Sequence, residues 1–279
     1  MIFTLLLYEV CSGVRMAQVV ALLTDFGYRD HYVGVMKGVI WRIAPGVQIA
    51  DITHAVRPQN IFEGAFLLAQ AYPYFPRETV FVAVVDPGVG TPRRPLAAQI
   101  GDYYFVAPDN GLLTLVVREA TMQRWSMRFV RLTQPSYWLP TVSRSFHGRD
   151  IFAPVAAHLA TGVALDALGL AVEDPVLIPI PEPTPEQGGW RGQIIYIDGF
   201  GNLITNIAPV HLEGRGQWKI CYKDREINEI VATFGEGHPG DLIAMFDSTG
   251  FLSLCVVNGN AEATLKAQTG DDLWILPQA

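Results

Sequence analysis

An apolar run that ends on a carboxylate constrains this chain more than any other stretch, and residues 80–94 read VFVAVVDPGVGTPRR. The run Val80–Val85 is rich in β-branched residues, which is typical of a strand buried on both faces of a parallel sheet. A tight turn is predicted after Asp86, where a proline and two glycines follow. Because ligands of open α/β sheets bind beyond the carboxyl ends of the strands, Asp86 with Arg93 and Arg94 is the first candidate for chemistry. The alternative is that Asp86 only closes the turn.

Strand-like and helix-like patterns alternate between residues 16 and 172. The predicted strands are 18–23, 47–52, 80–85, 96–100 and 103–107, and the predicted helices are 30–43, 60–72, 111–117 and 150–161. The last two strands are predicted to pair as a hairpin. Such alternation is typical of an α/β fold, here an N-terminal domain, 16–172, with a mostly parallel sheet covered by helices.

The composition changes after residue 172. Residues 173–189 carry five prolines and are predicted to form a semi-rigid linker. Residues 190–279 contain short β-rich runs separated by turn residues, which predict a smaller all-β domain, a barrel or a sandwich. At the other end, residues 1–15 precede a second methionine, Met16, and are interpreted as an extension outside the fold.

Composition excludes several classes of partner. The formal net charge of −7 argues against nucleic acid or an anionic membrane as the main partner. Only 17% of the residues are charged, which favours an oligomer that hides further apolar surface. The three cysteines are widely spaced and form no CxxC pair, which fits a reduced cytoplasm without a disulfide framework or a structural zinc ion. A small-molecule substrate and a cytoplasmic location are therefore expected.

A second aspartate repeats the arrangement of Asp86. Asp25 also follows an apolar strand and precedes a turn with glycine, so both are expected at one edge of the sheet. Asp30 begins the next predicted helix, either as its cap or as another acid of the site. Converging carboxylates suit a polyhydroxylated or cationic ligand, because they accept hydrogen bonds from ribose hydroxyls and attract ammonium or sulfonium charge. His147 precedes a predicted helix, where a structural role and a role in the site are both open.

Other catalytic templates are absent from the sequence. The segment 88–90 lacks the GK[ST] ending of a phosphate-binding loop and the third glycine of a dinucleotide fingerprint. There is also no HExxH and no GxSxG motif. A hydrolase with a serine elbow or a zinc site is therefore not expected.

Four motifs, in order, carry a resemblance to a known family. They are LTDFG at 23–27, VDPGVGT at 85–91 followed by two arginines, FHGRD at 146–150 and DGFGN at 198–202. On the basis of these four motifs, the chain from about residue 16 to its C-terminus resembles the S-adenosylmethionine hydroxide adenosyltransferases. These enzymes are adenosine-forming hydrolases related to the fluorinases and chlorinases. The resemblance implies an N-terminal α/β domain, a C-terminal β-barrel and a homotrimer. Each site is then expected between the first domain of one subunit and the second domain of its neighbour.

The resemblance also implies a reaction. The family's water-handling triad of Asp, Arg and His falls on Asp86, Arg93 and His147. Water then attacks C5′ of the ribose in line with the departing sulfur, which gives adenosine and L-methionine without a cofactor or a metal ion. Arg93 stabilises hydroxide-like character, while Asp86 and His147 orient the water and accept or relay its proton.

Substrate-binding positions follow from the same resemblance. Asp25 falls on the ribose-binding aspartate, and Asp30 and Asp198 fall on carboxylates that hold the methionine amino group. The positions that contact the nucleoside fall on Phe200, Asn202, Phe234, Ser248, Phe251 and Val256. Ser253 stands where relatives often have Glu, so different contacts with the adenine edge are expected there.

A few positions separate a hydrolase from a halogenase. Halogenases resemble this chain but carry Tyr where Asp86 stands, and Tyr-Ser or Tyr-Gly where His147 and Gly148 stand. They also have an extra loop after the Arg93 segment, and Gln59 here replaces an aromatic residue of the halide pocket. Because a charged triad suits water and a dry pocket suits halide, the sequence predicts an S-adenosylmethionine hydrolase. The alternatives are an S-adenosylmethionine-dependent halogenase and a non-catalytic protein that binds adenosine or S-adenosylmethionine.

Overall fold

The structure is a computed structural model that describes residues 19–213 and 217–278, in two compact units that divide between Ile178 and Pro179. The predicted extension at 1–15 lies outside the described residues. The strands of the first unit are β1 (Val19–Thr24), β2 (Gln48–Thr53), β3 (Val80–Val84), β4 (Pro95–Ile100), β5 (Tyr103–Pro108), β6 (Met127–Leu132) and β7 (Gly169–Val172). Its helices are α1 (Tyr32–Ile43), α2 (Ile61–Ala71), α3 (Thr114–Gln123) and α4 (Ala153–Ala160).

The first unit is built on a seven-stranded mixed sheet with the order β2-β1-β3-β5-β4-β6-β7. The neighbours β2, β1, β3 and β5 pair in parallel. The remaining neighbours pair antiparallel, and β4 with β5 forms the predicted hairpin. The α/β fold class is confirmed, whereas the sequence did not predict β6 and β7.

Both faces of this sheet are buried. Val20 and Leu22 of β1 pack into the core under α1 and α4, and Ala21 and Leu23 pack into the core under α2 and α3. All five residues of β3 are buried. A strand covered by helices on both sides needs apolar residues at every position, which explains the uninterrupted apolar run.

All four helices of the first unit begin one to three residues later than the sequence predicted, and the starts of α1 and α4 bear on the site. The N-terminal cap of α1 is His31, with no side-chain hydrogen bond, so the cap role weighed for Asp30 is wrong. A π-helical turn, Gly148–Phe152, precedes α4 and follows His147 directly. Single π-helical turns occur frequently at functional sites because they shift side chains relative to a regular helix.

The second unit is an antiparallel, nearly closed barrel. Its elements are β8 (Thr184–Glu186), β9 (Gly189–Ile197), β10 (Leu203–Thr205), β11 (Trp218–Tyr222), β12 (Arg225–Ile227), β13 (Leu242–Phe246), β14 (Leu252–Val256), α5 (Ala261–Leu265) and β15 (Asp272–Pro277). The strand order is β12-β11-β15-β9-β10-β14-β13, with β8 paired to β9. Ile227 and Ala244, from the two ends of this order, lie in one core. The predicted barrel is therefore confirmed, while the short α5 was not predicted.

The Pro-rich segment 173–189 makes hydrogen bonds within each unit. In the first unit, the Val176 N–H donates to the Asp109 carboxylate at 2.7 Å and the Ile178 N–H donates to Thr114 Oγ1 at 3.0 Å. In the second unit, β8 pairs with β9. The division between the units thus falls inside the predicted linker.

None of the helices in the described ranges has the length and apolar character needed to cross a bilayer.

Candidate active site

Two aspartates follow neighbouring parallel strands of the first unit. Thr24, the last residue of β1, is in register with Val84, the last residue of β3. Asp25 comes directly after Thr24, and Asp86 lies two positions after Val84. Both carboxylates therefore lie at the carboxyl edge of the sheet, where ligands of this fold class bind.

Consecutive turns bring Arg93 back to Asp86. The Asp86 carbonyl accepts a hydrogen bond from the Val89 N–H at 3.2 Å. The Gly88 carbonyl accepts the Thr91 N–H at 3.1 Å and the Thr91 hydroxyl at 2.6 Å. Local backbone geometry, encoded by proline and glycine, thus returns the chain to the strand end.

Two glycines allow the segment around His147 to approach this edge closely. Gly90 has a positive φ of 77°, and a Cβ there would lie 2.3 Å from the backbone oxygen of Arg144. A Cβ on Gly148 would lie 3.3 Å from the rings of Phe26 and Phe146. A larger residue at position 90 would clash with the Arg144 backbone in a strained conformation, so glycine is required there, whereas at position 148 the neighbouring side chains would have to shift slightly.

The centre of the site is an ionic cluster. Arg93 Nε lies 3.0 Å from both carboxylate oxygens of Asp86, and Arg93 Nη2 lies 2.5 Å from Oδ2. The same Nη2 lies 2.8 Å from His147 Nδ1. Only 9% of the Arg93 side chain and 5% of the Asp86 side chain are exposed. The guanidinium carbon lies 5.2 Å from the centre of the Phe152 ring. Arg93 Nη1 is buried and has no hydrogen-bond partner among the described residues.

His147 is held as a neutral imidazole. A guanidinium group only donates hydrogen bonds, so Nδ1 must accept from Arg93 and the proton must reside on Nε2. Burial and the charge of Arg93 hold the pKa of His147 below its ordinary value, against the charges of Asp86 and Asp150. His147 therefore acts on Arg93 as an acceptor in this arrangement.

Asp150 anchors the loop that precedes His147, a role that the sequence did not predict. Its fully buried carboxylate accepts the Ser143 N–H at 2.8 Å and Arg149 Nε at 2.6 Å. Although burial favours the neutral acid, the hydrogen bonds from Arg149 and Ser143 hold the pKa of Asp150 below its ordinary value. The guanidinium of Arg149 lies 5.2 Å from the centre of the Phe146 ring. The sequence signal for this role is the motif FHGRD itself, in which Asp150 starts the predicted helix 150–161.

The Asp25 turn is tied to the same edge of the sheet. Asp25 Oδ2 accepts the Gln59 N–H at 2.8 Å, and Gln59 has a positive φ of 64°. The ring of Phe26 packs edge to face against Tyr32 and Phe146, at centroid distances of 5.9 and 5.8 Å. These contacts join the segments of Asp25, α1 and His147. Asp30 is exposed and lies two residues before α1.

In the second unit, Asp198 shapes the turn between β9 and β10. Its Oδ1 accepts the N–H groups of Phe200 and Asn202, both at 2.9 Å, and its Oδ2 accepts the Asn202 amide at 2.8 Å. The DGFGN motif thus has a local structural role. The Phe200 side chain is left 79% exposed on this turn.

The remaining sequence-predicted contacts of the second unit are Phe234, Ser248, Phe251, Ser253 and Val256. Ser253 is fully buried and its hydroxyl donates to the Asp247 carboxylate at 2.5 Å. Val256 lies in the barrel core, because alternate residues of β14 face opposite sides. Phe234 is 44% exposed on a short 3₁₀ turn, and Ser248 is exposed in the β13–β14 connection. Because its side chain faces the core, Val256 can contact a ligand only through its backbone.

A metal site needs several ligating side chains close together, and the part of the chain that the structure describes does not contain such a group. No group of three or more His, Cys, Asp or Glu side chains there is placed to hold a metal ion. At the sheet edge, the Asp86 carboxylate instead pairs with the cation Arg93, which in turn contacts His147.

Comparisons with known proteins agree with the motifs. Residues 20–169 and 192–274 match the models of the SAM hydroxide adenosyltransferase N-terminal and C-terminal domains. A protein of Salinispora tropica named (R)-S-adenosyl-L-methionine hydrolase is 40% identical, over 92% of this chain and 97% of its own. A fluorinase of an Actinoplanes species is 30% identical, over 85% of this chain and 90% of its own.

A solved structure supports the same grouping. The crystal structure of an uncharacterized conserved protein from Thermotoga maritima has a TM-score of 0.85 at 36% identity, and the match covers 92% of this chain and 99% of that one. The resemblance carried by the four motifs is thus confirmed, and the chain belongs to the S-adenosylmethionine hydroxide adenosyltransferase family.

Proposed function

We propose that this protein hydrolyses S-adenosylmethionine to adenosine and L-methionine. The observation that carries the proposal is Arg93 Nη1, a buried and permanently charged donor that has no partner within the described residues and lies in the cluster of Asp86 and His147. A water molecule at Nη1 gains a charge-assisted hydrogen bond that favours its hydroxide-like form. The named hydrolase activity of the Salinispora relative supports the same reaction.

The reaction is a displacement at carbon. The water oxygen forms a bond to ribose C5′ while the bond from C5′ to sulfur breaks and its electron pair moves to sulfur. Methionine departs as a neutral thioether, so the leaving group needs no general acid, and no redox cofactor takes part. One proton is released for each turnover. The difficult part is the nucleophile, because the pKa of free water is about 15.7.

The protonation state of His147 decides its part in this reaction. Because Nδ1 accepts from Arg93 and Nε2 carries the proton, neither nitrogen can take the water proton while that contact is intact. His147 therefore orients the guanidinium together with Asp86, which accepts from Nε and from the same Nη2. The proton leaves to the Asp86 carboxylate or to solvent.

The substrate-binding assignments rest on the family resemblance. We propose that Asp25 holds the ribose hydroxyls and that Asp30 and Asp198 hold the methionine amino group. The exposed rings of Phe200 and Phe234 suit contact with the nucleoside, since aromatic faces stack well on purine bases.

Oligomeric state and location belong to the same proposal. We propose a homotrimer in which each site combines the first unit of one subunit with the second unit of its neighbour. The exposed Phe200 and Phe234 and the low charged fraction of 17% support burial against another subunit. A cytoplasmic location is supported by Cys221 and Cys255, which form no disulfide.

Product identification tests the function directly. The purified protein is incubated with each sulfur epimer of S-adenosylmethionine separately, because the Salinispora relative is named for the (R) epimer. The buffer contains chloride, fluoride and water labelled with ¹⁸O. Adenosine that carries the label at the 5′ oxygen, together with methionine, is the expected result. A 5′-halo-adenosine would instead establish a halogenase, and binding of adenosine without turnover would establish a non-catalytic binding protein.

A further inference from the structure

Two fully buried side chains and a partly exposed carboxylate form a series of polar groups beneath the Asp25 turn. Asp51 Oδ1 lies 3.1 Å from His54 Nε2, and His54 Nδ1 lies 2.8 Å from Thr24 Oγ1. Thr24 Oγ1 in turn accepts the Phe26 N–H at 3.2 Å. The series therefore connects β2 to the turn that carries Asp25.

Burial determines what this series can do. An acid, an imidazole and a hydroxyl in this order resemble the nucleophilic triads of hydrolases. Thr24 and His54 are both 0% exposed, however, so the hydroxyl is closed to any substrate. The groups can act only on the parts of the protein that they contact.

His54 is neutral in this environment. The Asp51 carboxylate can only accept, so the ring proton lies on Nε2, and Nδ1 of the neutral imidazole accepts from the Thr24 O–H. Burial lowers the pKa of His54, against the effect of Asp51. The other groups that face the ring or its acid partner are Lys37, which bonds Asp51 at 2.7 Å, and Tyr28, whose ring packs edge to face on the imidazole.

His54 also contacts the turn through its backbone. Its carbonyl accepts the Gly27 N–H at 2.7 Å, so two consecutive amides of the turn depend on His54, one directly and one through Thr24. From the other side, the Gln59 N–H reaches the Asp25 carboxylate. In addition to its place at the end of β1, Asp25 is thus held by contacts from the segment 54–59.

We infer that His54 is a positioning residue that, through Thr24 and through its own carbonyl, holds the Asp25 carboxylate in the orientation that receives the ribose hydroxyls. The inference rests on the proposed function in one respect, the assignment of Asp25 to the ribose. His54 itself touches no substrate. If the turn loses this support, it must be ordered when the ligand binds, and that entropy cost lowers affinity rather than the rate of the chemical step.

The test uses three threonine variants. Thr24→Val keeps the shape of the side chain but removes the hydroxyl, Thr24→Ser retains the hydroxyl, and Thr79→Val removes another buried hydroxyl at the opposite end of the sheet. Thr24→Val is expected to raise the Kd for adenosine and the KM for S-adenosylmethionine by about tenfold, with kcat within about threefold of wild type. Thr24→Ser and Thr79→Val are expected to stay within about threefold for all three constants. His54→Gln serves as a second variant of the series.

A double-mutant cycle with Asp25→Ala separates positioning from general destabilisation. If the series acts through Asp25, Thr24→Val has no further effect on adenosine affinity in the Asp25→Ala background. An equal loss in both backgrounds, or unchanged affinity in Thr24→Val and His54→Gln, would overturn the inference. A wild-type protein that binds adenosine but does not cleave S-adenosylmethionine would overturn the proposed function instead and leave the affinity comparison decisive.

Discussion

Arg93 Nη2 lies 2.8 Å from His147 Nδ1, and this contact assigns the proton of the imidazole. The guanidinium group can only donate, so His147 accepts and stays neutral. The two side chains are 54 positions apart in the chain, and the π-helical turn after His147 and the turns after β3 bring them together.

His147→Gln is expected to retain more activity than His147→Ala, because a glutamine carbonyl oxygen can still accept from Arg93. We expect the alanine variant to lose about 100-fold in kcat. Since the pKa of His147 is held below its ordinary value of 6.5, kcat of the wild type should stay level down to about pH 6.5 and fall only at lower pH, as protonation breaks the Arg93 contact. Steady-state kinetics from pH 5 to 9 measure this. An equal loss of kcat in His147→Gln and His147→Ala would refute the role of His147 as the acceptor for Arg93.

Asp86→Ala is expected to abolish turnover while adenosine affinity changes little. Without the carboxylate, Arg93 loses the group that fixes its orientation, and the site loses one of the two routes for the water proton. We expect a loss of at least about 100-fold in kcat, measured by chromatography of the products, with adenosine binding measured by calorimetry. Asp166→Ala, which removes an exposed acid paired with Arg128, is the matched control. Wild-type turnover in Asp86→Ala would exclude the proposed triad.

Asp150→Ala is expected to destabilise the first unit and to reduce activity together. The carboxylate is fully buried, and its removal leaves the Ser143 N–H and Arg149 without their acceptor. We expect the free energy of unfolding in urea to fall by about 3 kcal/mol. Removal of the exposed carboxylate in Asp166→Ala should lower the free energy of unfolding by less than about 0.5 kcal/mol in the same measurement. If Asp150→Ala unfolded at the same urea concentration as the wild type, the anchoring role of Asp150 would be contradicted.

The protein is expected to lose stability as the pH falls below about 6.5, the ordinary pKa of histidine. Burial lowers the pKa values of His54 and His158, so the unfolded chain takes up protons at a pH where the folded chain does not. Thermal unfolding between pH 8 and pH 5 measures the effect. In His158→Gln, Tm should decline less steeply with falling pH than in the wild type. In the control variant His238→Gln, which changes an exposed histidine, the decline of Tm should equal that of the wild type. An identical decline in His158→Gln and wild type would contradict this explanation.

Subunit mixing is expected to restore activity if sites are shared between neighbours. Asp86→Ala inactivates the first unit, and Asp198→Asn removes the charge proposed to hold the methionine amino group while keeping an acceptor for the turn. When both variants are co-expressed, about a quarter of the sites of a trimer combine two intact halves. Turnover of the mixture, with light scattering to give the mass, measures this. A trimer without recovered activity would place each site within one subunit.

Local patterns predicted the fold because burial imposes a period on each element. The apolar run at Val80–Val85 and the hairpin at 96–107 were found as β3, β4 and β5. The strands β6 and β7 were missed for the same reason. β7 is the edge strand of the sheet and β6 is its neighbour, and exposed residues such as Arg128 and Leu170 interrupt the apolar pattern there.

The sequence by itself determined β1 to β5 and α1 to α4 of the first unit, and with them the strand-end positions of Asp25 and Asp86, because these follow from residues adjacent in the chain. Only the tertiary structure decided which polar atoms pair. It showed that Arg93 Nη1 is left unpaired within the described residues and that Val256 faces the barrel core. It also brought His54 beneath the Asp25 turn. These outcomes depend on contacts between residues that are distant in sequence, and hydrogen bonding between such residues leaves no periodic signal in the chain.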